Sequence, residues 1–220
     1  MIYRRLFTAF LIFFNILQPA YSTTDSKNLP FSTDIVSIGN KNVVLLGSTV
    51  NIGQPAPAFK LVNERFQAVE LTDFAGKTVL LSVVPSIDTG VGSLQAKRFN
   101  DEVAKLPNTV VILTISTDTP FAQKRFASDE QIDQHKLLSD AVWHNFGHNY
   151  GLLIKDMGLL ARALFVVDPQ GIITYKQVVA ELSHEPDYDE ALNAVKAIVG
   201  EIATEVVDEM AAVKSEKVSL

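Results

Sequence analysis

The chemistry open to this chain is bounded first by a residue it lacks. None of its 220 residues is cysteine. Disulfides, cysteine-ligated zinc, iron–sulfur clusters and every thiol-based mechanism are therefore excluded. The four histidines come next. Asp140, His144 and His148 recur at i, i+4 and i+8, which a helix would bring to one face. A His-x3-His pair on a helix suits a metal ion. Asp140 reads better as a helix cap than as a third ligand, so His144 and His148 stand as a pair and no metal is assigned. His135 and His184 read as isolated surface residues. Ser93 follows Gly90-Val91-Gly92 at a helix start, but there is no Gly-x-Ser-x-Gly elbow and no histidine to pair with it. A serine nucleophile is not assigned, and neither is a cofactor.

The elements that would position such groups can be read from hydrophobic period. Thr78–Val84 and Val110–Ser116 are continuous β-branched and apolar runs, the pattern of strands buried on both faces. Between them Leu94, Phe99, Val103 and Leu106 mark one face of an amphipathic helix over 93–106. Strand, helix and strand predict a parallel βαβ unit. Upstream, residues 35–38 and 43–46 flank Gly39-Asn40 and predict an N-terminal β-hairpin. Lys136–Ser139 is a further short strand, a helix is expected over 120–127, and another from Asp140 to Tyr150. Trp143 and Phe146 would supply core. Residues 163–168 and 172–178 surround Pro169-Gln170-Gly171 and form a second hairpin. Tyr188, Leu192, Val195, Val199, Ile202 and Val206 make a helical stripe that Gly200 could break. The expected class is α/β, with a mixed sheet and helices on both faces.

Composition narrows the partners. Lys and Arg number 19 against 25 Asp and Glu, a net charge of -6 that offers nothing to a nucleic-acid backbone. Arg4-Arg5, an apolar run from Leu6 to Leu17 and the small residues around Ala20-Tyr21-Ser22 read as a secretory signal peptide. The run is too short to span a bilayer. Cleavage after Ser22 removes two arginines and no acid, so the charge moves from -6 to -8. The expected organisation is a signal peptide over 1–22, a lead-in over 23–34, one domain over 35–199 and a helical tail over 200–220. The mature protein would be exported, periplasmic or secreted, with no membrane contact.

Several strings carry a family resemblance. Pro85-Ser86-Ile87-Asp88-Thr89-Gly90-Val91 resembles the active-site loop of bacterial thiol peroxidases, the atypical two-cysteine peroxiredoxins. Residues 120–126, Pro-Phe-Ala-Gln-Lys-Arg-Phe, resemble the segment before that family's resolving cysteine. Gly158–Ala163 resembles the stretch with its active-site arginine, here Arg162. Glu185-Pro186-Asp187-Tyr188 and Gly53–Phe59 are similar to its last helix start and its opening turn. The resemblance runs from about residue 35 to about residue 199 and implies a thioredoxin-like fold.

On this resemblance the peroxidatic position is Gly92 and the resolving position is Ala127. Peroxide reduction is displacement on an O–O bond by a thiolate, and neither residue can supply one. Pro85, Thr89 and Arg162 persist from the site. Two roles stay open for them: a small cationic cup for an anion or peroxide-like ligand, or the holding of the loop. The implied functions are a non-catalytic binding protein, paired as a homodimer or with an active paralogue; an antioxidant peroxidase working without cysteine; or a structural protein. Restoring both sulfurs, Gly92→Cys with Ala127→Cys, is expected to return some peroxide reduction.

Overall fold

The computed structural model describes residues 30–218, so the signal-peptide segment lies outside the described residues. The chain opens with a hairpin of β1 (Val36–Ile38) and β2 (Lys41–Val43), paired antiparallel. Its turn residues Gly39 and Asn40 have φ of +54° and +67°, a left-handed conformation that these two residue types tolerate best. The second half of the expected hairpin strand splits off as β3 (Leu45–Leu46), which pairs much later with β9 (Leu153–Ile154). A further hairpin, β4 (Lys60–Val62) and β5 (Ala68–Glu70), precedes a 3-10 turn over Leu71–Phe74.

The predicted βαβ unit follows. β6 (Thr78–Val83), α1 (Gly90–Val103) and β7 (Val110–Ser116) run in order, and the two strands pair in parallel from Thr78↔Val110 to Val83↔Ile115. α2 (Pro120–Asp129) then crosses to β8 (Lys136–Ser139), parallel to β7. After α3 (Asn145–Asn149) and β9 come β10 (Ala163–Val167) and β11 (Ile173–Val178), an antiparallel hairpin whose first strand also pairs antiparallel with β6. The seven-stranded sheet is ordered β11-β10-β6-β7-β8-β4-β5. It is mixed and thioredoxin-like.

Every residue of β6 is buried, because strands flank it on both sides and its two faces meet different layers. Val79, Leu81 and Val83 join a core with Phe146, Tyr150 and Phe165. Leu80 on the other face packs with Phe99 of α1 and with Leu192 and Val195 of α4 (Tyr188–Val218). Each such side chain contributes roughly 1.5–3 kcal/mol by leaving water. α4 runs through Gly200 without a break. None of the described helices is long and apolar enough to cross a membrane.

Three local expectations are corrected. The helix predicted from Asp140 to Tyr150 shrinks to the five residues of α3, because His144 turns left-handed (φ +48°) and ends the approach. Trp143 is 43 % exposed, with the Lys60 ammonium 4.8 Å above its ring, so it does not supply core. His135 is not a surface residue: its Nε2 shares a 2.9 Å hydrogen bond with Thr114 Oγ1, and burial pulls its pKa down to about 4.

Candidate functional site

The parallel strands β6, β7 and β8 end on one side of the sheet, and three loops meet there. Asp118, just past β7, ties them together. Its carboxylate accepts the Ser86 hydroxyl at 2.7 Å and the Ile87 N–H at 2.8 Å. Its carbonyl accepts the Ser139 hydroxyl from the end of β8 at 2.6 Å. Charge-assisted bonds of this kind are stronger than neutral ones, so residues 85–89 are clamped before α1 begins. Pro85 is buried at the strand end.

Thr89 caps α1. Its hydroxyl accepts the Gly92 N–H at 3.1 Å and donates to the Ser86 carbonyl at 2.8 Å. Both hydrogen-bonding roles of the hydroxyl are thus taken. The same carbonyl occupies the space beside Gly92. A Cβ on residue 92 would fall well inside 3 Å of the Ser86 carbonyl oxygen and 2.6 Å from Thr89 Oγ1. Real Cβ atoms essentially never come so near. The position that the resemblance assigns to the peroxidatic cysteine is therefore filled by backbone. The expectation that restored cysteines would work is revised on this ground, because a side chain at 92 must first displace the loop.

Arg162 lies in the segment leading into β10 and is only 2 % exposed. Its Nη1 donates to Gln95 Oε1 at 2.9 Å, and its Nε and Nη2 both donate to the Leu182 carbonyl at 3.2 Å. Gln95, one turn beyond Gly92 on α1, passes the network on by donating to Ser82 Oγ at 2.9 Å. Among the described residues no carboxylate forms an ion pair with Arg162. Burial lowers its pKa, opposed by the nearby Tyr188 and Glu185. The fork that would have served an anion is turned to neutral acceptors inside the protein.

Ala127 sits on α2, partly buried against Val84, Ile87, Ala96, Phe126 and Ile132. It also lines a cleft of about 570 Å³ between α2, β8 and the β4–β5 hairpin. His144 precedes α3 and His148 lies within it, with the His148 N–H donating to the His144 carbonyl at 3.1 Å. Burial and the neighbouring His144 lower the pKa of His148. No cluster of three or more metal-binding side chains occurs among the described residues. Asp140 does cap α3, as its residue type suggested: its carboxylate accepts the N–H groups of Phe146 and Gly147 at 3.0 and 2.8 Å. Its 1 % exposure raises its pKa to about 6 despite those bonds.

Sequence reasoning missed Asp118 and Gln95. Ser116-Thr117-Asp118-Thr119 before Pro120 does carry the composition of a helix start. Nothing in that string points to Ser86, 32 positions away.

The fold and this site define a thioredoxin-like α/β protein with a peroxiredoxin layout. The family model described as Redoxin matches residues 51–192. A thiol peroxidase of Streptococcus sanguinis is 45% identical over 161 residues, covering 73% of this chain and 98% of the relative. A solved peroxiredoxin-like protein from Aquifex aeolicus superposes with a TM-score of 0.71 at 34% identity, over 74% of this chain and 96% of that one. The reduced 2-Cys peroxiredoxin of Plasmodium vivax gives a TM-score of 0.58 at 26% identity, over 70% of this chain and 84% of that one. The chain belongs to the redoxin family, and it is a member without cysteine.

Proposed function

We propose that this chain is an exported redoxin that has left thiol-dependent peroxide reduction behind and acts by binding, as a homodimer or with an active paralogue. The observation that carries the reading is the occupation of the Gly92 side-chain space by the Ser86 carbonyl, in a chain with no thiol anywhere. A displaced nucleophile could be supplied by mutation alone only if its seat were empty. Of the two roles open to Pro85, Thr89 and Arg162, the holding role is supported, because the Thr89 hydroxyl proton and the Nε, Nη1 and Nη2 groups of Arg162 all donate to internal partners and Arg162 is 2 % exposed. A small anion would have to reach an arginine that is buried among those partners.

The test is peroxide consumption by the purified mature protein with a dithiol donor, free of haem and metals. The expected rate is that of the donor alone. The double variant Gly92→Cys/Ala127→Cys, with folding checked by circular dichroism, is expected to stay inactive. Rapid turnover by either protein overturns the reading. Export is checked separately by sequencing the N-terminus of protein recovered outside the cytoplasm, where a start at Thr23 is expected. Sedimentation of the protein alone and mixed with a cysteine-bearing relative tests the pairing.

A further inference from the structure

α4 is longer than the layer it covers. Its first part packs on the sheet, where Leu192, Val195 and Ile202 meet Leu80 and Leu164. From Tyr188 to Ile202 the helix is about 22 Å long at 1.5 Å per residue. The strands beneath it, β10 and β11, have 5 and 6 residues, which at about 3.3 Å each make roughly 17–20 Å. The layer is used up by Ile202. α4 runs on to Val218, about 24 Å further. It is one continuous helix, so the added length cannot fold back onto its own domain. The extension also lies beyond residues 51–192, which the redoxin family model matches.

The sequence of the extension carries a seam of its own. Val199, Val206 and Val213 recur every seven residues, and Ala203 and Met210 follow the first two of them by four. These are the d and a positions of a heptad, the period that keeps one face of a helix against a second helix. The next a position is Lys217, a polar residue of the kind that sets register. The flanking charges are uneven. Glu209 and Glu216 fall at g, and Lys214 falls at e. In a parallel pair each g position faces the e position five residues on in the other helix. Glu209 of one copy then stands opposite Lys214 of the second copy, and the contact occurs twice. In an antiparallel pair g faces g, which sets acid against acid. Residues 201–218 hold five acids and two lysines, a net charge of 2 − 5 = -3, so an anionic lipid surface would repel them.

We propose that residues 199–217 of α4 pair in parallel with the same segment of a second copy of this chain, making the helix extension a dimerisation arm. The apolar seam supplies the contact, and the Glu209–Lys214 pairs choose the orientation. The inference deepens the homodimer of the reading above by giving it a surface outside the Gly92 loop. It does not rest on the loss of peroxide reduction.

The chain has no cysteine, so an introduced cysteine is unique. Val213→Cys, in the seam, should cross-link the full mature protein into a dimer in a glutathione redox buffer. Asp208→Cys, at f on the opposite face, should not. Sedimentation equilibrium of the unmodified protein should show a dimer, and Met210→Glu should raise its dissociation constant by at least about tenfold. Glu209→Lys alone should weaken the dimer by roughly threefold or more. Adding Lys214→Glu reverses the pair and should restore the original constant. Equal cross-linking at 208 and 213, no recovery in the reversed pair, or a monomer throughout overturns the proposal. A dimer that Met210→Glu leaves intact also overturns it, while the homodimer reading stands. Peroxide turnover would remove the non-catalytic reading and leave the arm untouched.

Discussion

The two positions that the resemblance assigns to the family's cysteines have opposite surroundings. At Gly92 the Ser86 carbonyl sits where a side chain would begin. At Ala127 the vacancy stays open and merges with a cleft. The difference lies in what surrounds each one. Gly92 is in the first turn of a helix beside a loop, and the loop can settle against it because Thr89 and Asp118 hold it there. Ala127 is in the second half of α2, where the backbone is fixed by the helix and only side chains could fill the gap.

The sharpest way to break this comparison is to add one heavy atom to each position. Gly92→Ala is expected to cost about 3 kcal/mol, the upper end of ordinary overpacking, because the obstructing atoms are backbone. Ala127→Cys should cost less than about 1 kcal/mol, since it grows toward open space. Urea denaturation of both variants checks the pair. Equal costs would mean that Gly92 is not sealed.

A second test uses ionisation. His135, in the wall of the open cleft, has its pKa lowered from 6.5 to about 4 by burial. The unfolded chain therefore takes up a proton before the folded one does. Stability from this group is complete above pH 6.5 and lost as the pH falls toward 4, by about 3 kcal/mol at full extent. Asp140 acts the other way. Its carboxyl is raised from 3.8 to about 6, again by burial, so the folded state gains stability as the pH falls through 6 toward 3.8. The two contributions oppose each other across nearly the same window. Thermal unfolding between pH 7 and 4 should change little from these groups in the native protein, fall steeply in Asp140→Asn and rise in His135→Gln. Parallel slopes in all three proteins would refute the assignment.

The contrast between the two positions was invisible in the sequence, where the resemblance makes both simply a small residue at a cysteine position. What was legible follows from local pattern. The β6–α1–β7 unit announces itself through two unbroken apolar runs with a 3.6-period stretch between them, and Asp140 through its type at a helix start. β3 was read as part of the N-terminal hairpin because its true partner, β9, is far along the chain, and β5 was not read because three residues carry too little pattern of their own. The roles of Asp118 and Gln95 depend on Ser86 and Arg162, residues 32 and 67 positions away. The sealing of Gly92 depends on a backbone carbonyl, which no residue type encodes. Arg162 was found in the sequence, yet its buried partners decide what it does.

A smaller effect sharpens the sealed side. Thr89→Val keeps the shape of the cap and removes its hydroxyl, so the Gly92 N–H loses its acceptor and the Ser86 carbonyl its donor. The expected cost is about 1–2 kcal/mol. Hydrogen exchange should report it as faster exchange at Gly92 and its neighbours in α1, with α2 unchanged. Acceleration that spread into α2 would show that the two positions share one cooperative unit.

The smallest expected effect tests whether the comparison is between independent regions at all. Asp88 belongs to the sealed loop and Arg125 to the helix of the open cleft, and the two approach at 3.8 Å. Both side chains are well exposed, 60% and 64%, so water and salt screen the pair. Arg125→Ala should change stability by less than about 0.5 kcal/mol, and a double-mutant cycle with Asp88→Ala should give a coupling of similar or smaller size. A coupling several times larger would mean that the loop at Gly92 and the helix at Ala127 respond together. The closure of one vacancy would then help to set the openness of the other, and the two surroundings would have to be explained together.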